Sequence, residues 1–205
     1  MSNSFDFIAP YYQFLSKAMY GSAIIEAQKK AIVHLPENGN LVIIGGGDGT
    51  LLPYLYKKKP SLEILYIESS GKMIELAQHN QKKGQNIKFR LTDDFSLDGF
   101  QTDAIFAPFV LDMFRNSEIT EVINTINSQC KKRPKWFVVD FDHNKVLYGT
   151  WYNKLRTTLS IYFFRITTGY QPKKLPLIFE AIRLHYRKSL KTIDIESKMF
   201  SCVSF

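Results

Sequence analysis

The sequence predicts an α/β fold, a seven-stranded and mostly parallel sheet with helices on both faces and a C-terminal antiparallel strand pair. Short apolar runs alternate with longer amphipathic segments through the middle of the chain, which is typical of βαβ units. A glycine cluster directly follows the first apolar run, where sheets of this kind bind their ligands. Finally, the chain closes with two runs that alternate apolar and polar residues, as antiparallel strands do.

Five apolar runs are predicted to form the parallel strands. They are short and bounded by glycine, proline or polar residues, as expected for strands that are buried on both faces. These runs cover residues 41–45, 62–67, 87–91, 103–110 and 136–141, and the terminal pair covers 190–195 and 199–205. Right-handed crossovers between the parallel strands would place helices on both faces of the sheet.

The segments between the strands carry apolar residues at helical spacing. Pro60 stops the first of these helices, Gly84 ends the second, and Ser117 is predicted to be the N-cap of the third. The predicted helices cover residues 5–35, 50–59, 70–83, 117–130, 151–166 and 175–185.

The net charge of +8 raises the question of a nucleic-acid partner. The basic clusters 57–59, 82–83 and 131–133 fall at the ends of predicted helices, where lysine complements the helix dipole. Those ends lie at the edge of the sheet opposite the ligand crevice. The acids near the crevice are Asp48, Glu68, Asp93, Asp94, Asp112, Asp140 and Asp142. We therefore expect a small-molecule substrate rather than a nucleic acid.

No apolar run reaches the roughly 20 residues that cross a bilayer, and the N-terminus lacks the features of a signal peptide. The two cysteines, Cys130 and Cys202, have no metal-ligand spacing. We therefore predict a cytoplasmic protein without a transmembrane segment or a metal site.

The glycine loop, Gly45-Gly46-Gly47-Asp48-Gly49, stands between the first predicted strand and helix. Dinucleotide folds use G-x-G-x-x-G, but Thr50 occupies the position of the third glycine here. A phosphate-binding loop would need Lys followed by Ser or Thr after the last glycine, where this chain has Thr-Leu. The pattern therefore favours a nucleoside without a pyrophosphate.

Acids follow the next two predicted strands. Glu68 ends the second strand, about 20 residues past the glycine loop, where an acid can accept hydrogen bonds from both ribose hydroxyls. Asp93 or Asp94 follows the third strand and could accept from the amine of an adenine, with Phe95 packed on the ring. Alternatively, Glu68 only caps the next helix, and residues 93–94 form an ordinary acidic turn.

Four segments resemble the successive motifs of class I S-adenosylmethionine-dependent methyltransferases: VIIGGGDGTLL, YIESSGKMIELA, LTDDF and DAIFAPFVLDMF. The opening FDFIAPYYQFL is similar to the start of the ubiquinone/menaquinone-type (UbiE-like) C-methyltransferases. The resemblance covers most of the chain and implies a Rossmann-like methyltransferase fold with S-adenosyl-L-methionine as cofactor. The implied cofactor-binding residues are Gly45, Gly46, Gly47, Asp48, Gly49, Glu68, Ser69, Met73, Asp93, Asp94 and Phe109.

The resemblance also implies how the domain is divided. We expect a single domain over residues 1–205, long enough to bury a full core. Its parts would be an N-terminal helical cap, a cofactor-binding core, substrate-cap helices and terminal strands, at residues 1–38, 40–142, 143–187 and 188–205. A homodimer is compatible with the sequence.

This chain departs from the family at two places. Ile43 stands two residues before the first glycine, where the family usually has an acid. Residues 109–114, after the fourth strand, are more apolar than in quinone-type members. The GGGDG string is also similar to the loop of spermidine synthases, so an aminopropyltransferase is a second hypothesis. A non-catalytic protein that binds the cofactor is a third, supported by Ile43.

Methyl transfer requires alignment of acceptor and methyl group, and a base only when the acceptor loses a proton. His143 follows the fifth strand and is the first candidate base, and Asp112 is the second. His143 could instead be an exposed loop residue, and the aromatic residues of 151–166 could be core packing. The candidates to line a site for an aromatic or apolar acceptor are Tyr11, Tyr12, Tyr20, Tyr148 and Trp151.

Overall fold

A computed structural model describes residues 20–81, 84, 86–155, 157–159 and 174–205. In this part of the chain, the strands form one seven-stranded sheet with the order β3-β2-β1-β4-β5-β7-β6. The strands are β1 (Asn38–Ile44), β2 (Ser61–Glu68), β3 (Ile87–Leu91), β4 (Ala104–Pro108), β5 (Lys135–Phe141), β6 (Lys191–Ile193) and β7 (Phe200–Ser204).

Helices connect most of these strands. The described helices are α1 (Ala23–Val33), α2 (Leu52–Lys58), α3 (Gly71–Asn80), α4 (Asn116–Ser128), α5 (His143–Leu147) and α6 (Ile178–Tyr186), with a short 3₁₀ helix at Leu111–Met113. Residues 151–155 and 157–159 are helical as well. None of the helices within the described ranges is long and apolar enough to cross a bilayer.

The sheet confirms the predicted mixed topology. Strands β1 to β5 pair in parallel, and β7 runs antiparallel to both β5 and β6. The strand order reverses between β1 and β4. Loops that leave neighbouring strands in opposite directions open a crevice at such a point, where α/β sheets bind ligands.

The core has two layers of apolar side chains, one on each face of the sheet. Side chains alternate between the faces along β1 and β5, as the strand period of two requires. Leu41 and Ile43 belong to the layer under α1 and α2, whereas Val42 and Ile44 belong to the layer under α4 and α6. Ile43 is thus a buried core residue, which accounts for its apolar character.

Two details of the helices differ from the sequence predictions. Helix α4 begins at Asn116 and Arg115 is its N-cap, so the prediction that Ser117 caps it is wrong. The Asn116 side chain instead accepts a hydrogen bond from the Leu177 N–H at 2.8 Å and ties α4 to the start of α6. A short helix, α5, directly follows β5 and was not predicted. The predicted helical residues 5–19, 82–83 and 160–166 lie outside the described residues.

Candidate functional site

The glycine loop, residues 45–49, connects β1 to α2 at the carboxyl edge of the sheet. Gly45, Gly47 and Gly49 have φ values of +64°, +65° and +71°, which side-chain-bearing residues adopt only with strain. A Cβ atom on Gly47 would have no heavy atom within 4 Å. The loop therefore presents bare backbone to open space at Gly47.

The other loop glycines are required by packing. A Cβ on Gly46 would lie 2.3 Å from the Tyr66 ring, and one on Gly49 would lie 2.6 Å from the Ala77 backbone. A Cβ on Gly45 would lie 2.6 Å from the Val110 side chain. The loop is thus pressed against β2, α3 and the segment after β4.

Glu68, at the end of β2, holds the loop through backbone hydrogen bonds. Its Oε2 accepts from the Gly47 N–H at 3.0 Å, and its Oε1 accepts from the N–H groups of Ser69 and Ser70 at 2.8 and 3.1 Å. Burial raises the pKa of Glu68, and these hydrogen bonds oppose the rise. Glu68 thus contacts both the glycine loop and the start of α3, the position that an adenosine ribose would need.

Two further contacts stiffen the loop. The Tyr66 hydroxyl donates to the Gly47 carbonyl oxygen at 2.9 Å. Asp48 is buried, and its Oδ1 accepts from the Thr50 N–H at 3.0 Å. Asn80 donates to the Asp48 carbonyl oxygen at 2.9 Å. Hydrogen bonds within the protein therefore fix the conformation of the loop backbone.

The acids after β3 lie on an exposed turn. Asp94 Oδ1 accepts from the Thr92 hydroxyl at 2.6 Å and from the Ser96 N–H at 2.8 Å. The Thr92 hydroxyl bond is the main reason that the pKa of Asp94 is lowered. Asp93 is exposed beside it. Both acids therefore lie on the turn that follows β3, where the sequence predicted a contact with the adenine amine.

Two carboxyl groups meet where β4 and β5 end. Asp140 is fully buried, and its Oδ2 accepts from the N–H groups of Leu111 and Asp112 at 3.0 and 3.2 Å. Burial raises the pKa of Asp112 to about 7, although its side chain keeps some contact with solvent. Burial first, and then the charge of Asp112, raise the pKa of Asp140 well above its ordinary value.

His143 is the first residue of α5. Its Nδ1 lies 3.1 Å from the Leu175 carbonyl oxygen, just before α6, and its side chain is half-buried. A carbonyl oxygen can only accept, so in the neutral ring Nδ1 must carry the proton and Nε2 keeps its lone pair. In this tautomer Nε2 is the ring nitrogen that can accept a proton.

The predicted aromatic residues fall into distinct environments. Phe109 (φ +51°) packs edge-on against Phe141 and Phe200 at centroid distances of 5.5 and 5.0 Å. Tyr20 is buried and packs on Phe141 at 5.2 Å. Both therefore contribute to an aromatic cluster beside the ends of β4 and β5.

The other predicted site residues lie in three settings. Met73 is buried in the first turn of α3, where its N–H donates to the Ser70 side chain at 3.2 Å. Tyr148 and Trp151 are 83% and 75% exposed. Tyr11 and Tyr12 lie outside the described residues.

Sequence reasoning missed the roles of Tyr66 and Asp140. Both are polar residues within strands of otherwise apolar character, in LEILYIE and WFVVDF. Burying a charge is costly unless hydrogen bonds compensate, so Asp140 in an apolar strand was the signal that could have marked it.

These residues fit an adenosine-type cofactor. The space beside the Gly47 Cα atom is open, the Glu68 carboxylate lies next to it, and Asp93 is exposed at the end of the next strand along the sheet. The carboxyl pair and His143 lie on the other side of the crevice, at the ends of β4 and β5, where a second substrate would meet the reacting end of the cofactor.

Comparison with protein families supports the same assignment. Residues 42–133 match the family model described as a methyltransferase domain. That stretch runs from β1 through α4 and includes the glycine loop, Glu68, Asp93 and Asp112. No curated protein sequence matches the chain significantly.

The fold is similar to those of solved methyltransferase structures. The DhpI complex with S-adenosylhomocysteine has a TM-score of 0.68 and 15% identity, over 97% of this chain and 91% of that one. The mitomycin 7-O-methyltransferase MmcR has a TM-score of 0.68 and 15% identity, over 94% of this chain. Human N-acetylserotonin methyltransferase in complex with S-adenosylmethionine has a TM-score of 0.65 and 14% identity, over 97% of this chain. The chain spans 56% of MmcR and 58% of the human enzyme.

Proposed function

We propose that this chain is a class I S-adenosylmethionine-dependent methyltransferase that transfers the methyl group to the hydroxyl of a small aromatic acceptor. The observation that carries this proposal is the hydrogen bond of His143 Nδ1 to the Leu175 carbonyl oxygen at 3.1 Å. It leaves Nε2 as a proton acceptor, which a phenolic hydroxyl needs as it becomes a nucleophile.

S-adenosylmethionine supplies an electrophilic methyl group on a positively charged sulfonium when it is bound. The open space beside the Gly47 Cα atom would take the methionine part of the cofactor, and the Glu68 carboxylate would accept hydrogen bonds from the ribose hydroxyls. Asp93 would accept from the adenine amine, and Met73 would lie near the ring. The hydrogen bonds that already hold Glu68 and Gly47 reduce the ordering that binding would cost.

The proton moves within the half of the site formed by β4 and β5. The cofactor would supply the methyl group to the acceptor oxygen and keep on its sulfur the electron pair of the bond that is lost. The hydroxyl proton passes to Nε2 of His143. Tyr20 and Phe109, in the aromatic cluster, are proposed to border the acceptor, together with Tyr11, Tyr12, Tyr148 and Trp151.

One comparison and one structural feature support an oxygen acceptor over the carbon acceptor that the UbiE-like resemblance suggests. MmcR is a 7-O-methyltransferase and has a fold similar to that of this chain. In addition, the 3₁₀ helix after β4 carries Asp112, whose pKa burial raises to about 7, so this carboxyl group can take up a proton near neutral pH.

The test has two stages. Calorimetry should first detect micromolar binding of S-adenosylhomocysteine and S-adenosylmethionine. Methyl-labelled S-adenosylmethionine is then offered with a panel of phenols, quinols and hydroxyquinones, and the products are identified by mass spectrometry. A methyl ether on a phenol supports the proposal. A C-methylated ring, or transfer only from the decarboxylated cofactor to an amine, would overturn it.

His143→Gln tests the base. We expect its turnover to fall by about 100-fold, the usual contribution of a general base, with cofactor affinity unchanged. His185→Gln is the matched control, because His185 Nδ1 also lies 3.0 Å from a backbone carbonyl but on the exposed face of α6. Equal turnover of the two variants would remove His143 from the mechanism. Cofactor binding without turnover of any acceptor would support a non-catalytic binding protein instead.

A further inference from the structure

The segment after β4 is fixed in position by a buried carboxylate. Asp140 uses Oδ2 for the N–H groups of Leu111 and Asp112 and Oδ1 for the N–H of Phe141 at 2.8 Å. Three backbone hydrogen bonds to one buried side chain satisfy its oxygens and restrict the movement of this segment. The backbone at Asp112 is thus held by a residue of the neighbouring strand.

This segment lies against the glycine loop. The space that a Cβ on Gly45 would need is filled by the Val110 side chain, two residues before Asp112. Strands β1 and β4 are neighbours at the point where the strand order reverses. Asp112 therefore lies in the segment that packs against the glycine loop, at the same edge of the sheet as Glu68.

Asp112 and Asp140 are neighbouring acids, of which Asp140 is fully buried and Asp112 is half-buried. Burial raises the pKa of both groups, and the charge of Asp112 raises the pKa of Asp140 further. A positive charge that enters this setting is attracted to an ionised Asp112 more strongly than it would be in water. Other ionisable groups at this edge of the sheet and on the elements that follow it include Asp48, Glu68, Arg115, Glu118, Asp142, His143, Lys145 and Glu180.

We propose that Asp112, positioned by Asp140, makes the site bind the positively charged sulfonium cofactor more tightly than the neutral thioether product. This inference rests on the proposed use of S-adenosylmethionine by the same site. Methyl transfer removes the positive charge from sulfur, so the attraction to Asp112 ends when the reaction is complete. The carboxylate would thus favour both loading of the cofactor and release of the product.

The affinity ratio of the two ligands isolates this effect. S-adenosylmethionine and S-adenosylhomocysteine share the same ammonium, carboxylate, ribose and adenine, and they differ by the methyl group and its charge. Calorimetry at pH 8 measures both affinities. In Asp112→Asn we expect the S-adenosylmethionine affinity to fall about tenfold, the size expected for unit charges about 12 Å apart at an effective dielectric constant of about 20. The S-adenosylhomocysteine affinity should change by less than about twofold.

Asp103→Asn is the matched control. It removes the same charge, but Asp103 lies just before β4, at the opposite edge of the sheet, where its Oδ2 accepts from the Asn40 N–H at 2.9 Å. Its affinity ratio should equal that of the wild type. Asp112→Glu should restore much of the ratio, whereas a merely structural role of Asp112 would not respond to charge in this way.

A pH series adds a second readout. Below pH 7 Asp112 gains a proton, so the wild-type ratio should decrease between pH 8 and pH 6, and the ratio of Asp112→Asn should stay constant. Histidine side chains in general can change charge within this range, and the series is therefore repeated in His143→Gln, which should keep the wild-type trend. A ratio that follows His143 instead of Asp112 overturns the inference.

The outcomes separate this inference from the proposed function. If neither ligand binds the wild-type chain, both the proposed function and this inference are wrong. If both ligands bind and Asp112→Asn leaves their ratio unchanged, or weakens both equally, only this inference falls. Asp140→Asn should lower the ratio as well, and where that variant does not fold, Asp112→Asn alone decides.

Discussion

The two sides of the crevice are built differently. On the cofactor side, formed by the ends of β1, β2 and β3, backbone N–H groups satisfy the carboxylates of Glu68 and Asp94. At the ends of β4 and β5, the proposed acceptor side, backbone N–H groups also reach Asp140. Here, however, burial raises the pKa of both Asp112 and Asp140, and the charge of Asp112 raises the pKa of Asp140 further. The first side has carboxylates that the backbone holds in place, and the second has a pair of interacting acids. Substitutions on the two sides should therefore have different consequences.

The largest expected effect comes from the glycine loop. Gly46→Ala would place a Cβ 2.3 Å from the buried Tyr66 ring, and we expect it to lower the free energy of unfolding by about 3 kcal/mol. Gly47→Ala is the matched partner, because its Cβ meets no atom within 4 Å. It should cost only the ~1–2 kcal/mol of left-handed backbone strain but still weaken cofactor binding. Urea unfolding and calorimetry measure the two effects.

Glu68→Gln should have the next largest effect. The amide cannot accept the hydrogen bonds of both the loop and the ribose, so we expect S-adenosylhomocysteine affinity to fall by about 10- to 100-fold, since bonds to a charged acceptor contribute about 1.5–3 kcal/mol each. Glu63→Gln, on the exposed side of the same strand, should bind like the wild type. Equal affinities for the two variants would contradict the role of Glu68.

Asp112→Asn should stabilise the folded chain at alkaline pH. The folded-state pKa of Asp112, about 7, lies above its unfolded value, so the folded state binds more protons between these two values and loses stability as pH rises through them. The asparagine variant avoids this loss. We expect it to be about 1–2 kcal/mol more stable than the wild type at pH 8, discounting for the solvent contact of Asp112, and similar to it at pH 4. Urea titrations at both pH values provide the comparison.

The smallest effect concerns the tautomer of His143. Because Nδ1 faces the Leu175 carbonyl oxygen, nitrogen chemical shifts at pH 8 should show the proton on Nδ1 and a bare Nε2. A proton on Nε2 would contradict the assigned orientation and weaken the case for His143 as base.

The sequence predicted the structure around the glycine loop far better than that at the ends of β4 and β5. Glycines mark where the backbone has a positive φ, and the acid that ends β2 follows them at a typical spacing, so the turn at Gly47 and the place of Glu68 beside it could be predicted. Their contacts with the cofactor stay predictions. The strands were also predicted, since apolar runs bounded by turn residues fix them locally. The coupling of Asp112 to Asp140 could not be predicted, because 28 residues separate them and only the pairing of β4 with β5 brings them together.

Strand β7 has a consequence for how the molecule folds. It lies between β5 and β6, so β6 joins the sheet only through β7. Residues 191–204 form a local antiparallel hairpin, which can form within microseconds. Docking onto β5 pairs Phe137 with Ser204, a contact of long sequence separation that forms slowly. The Ser201 hydroxyl then reaches Asp142 at 2.6 Å, next to His143. We therefore expect the proposed acceptor side to reach its final structure last in folding, when the preformed hairpin of β6 and β7 docks onto β5.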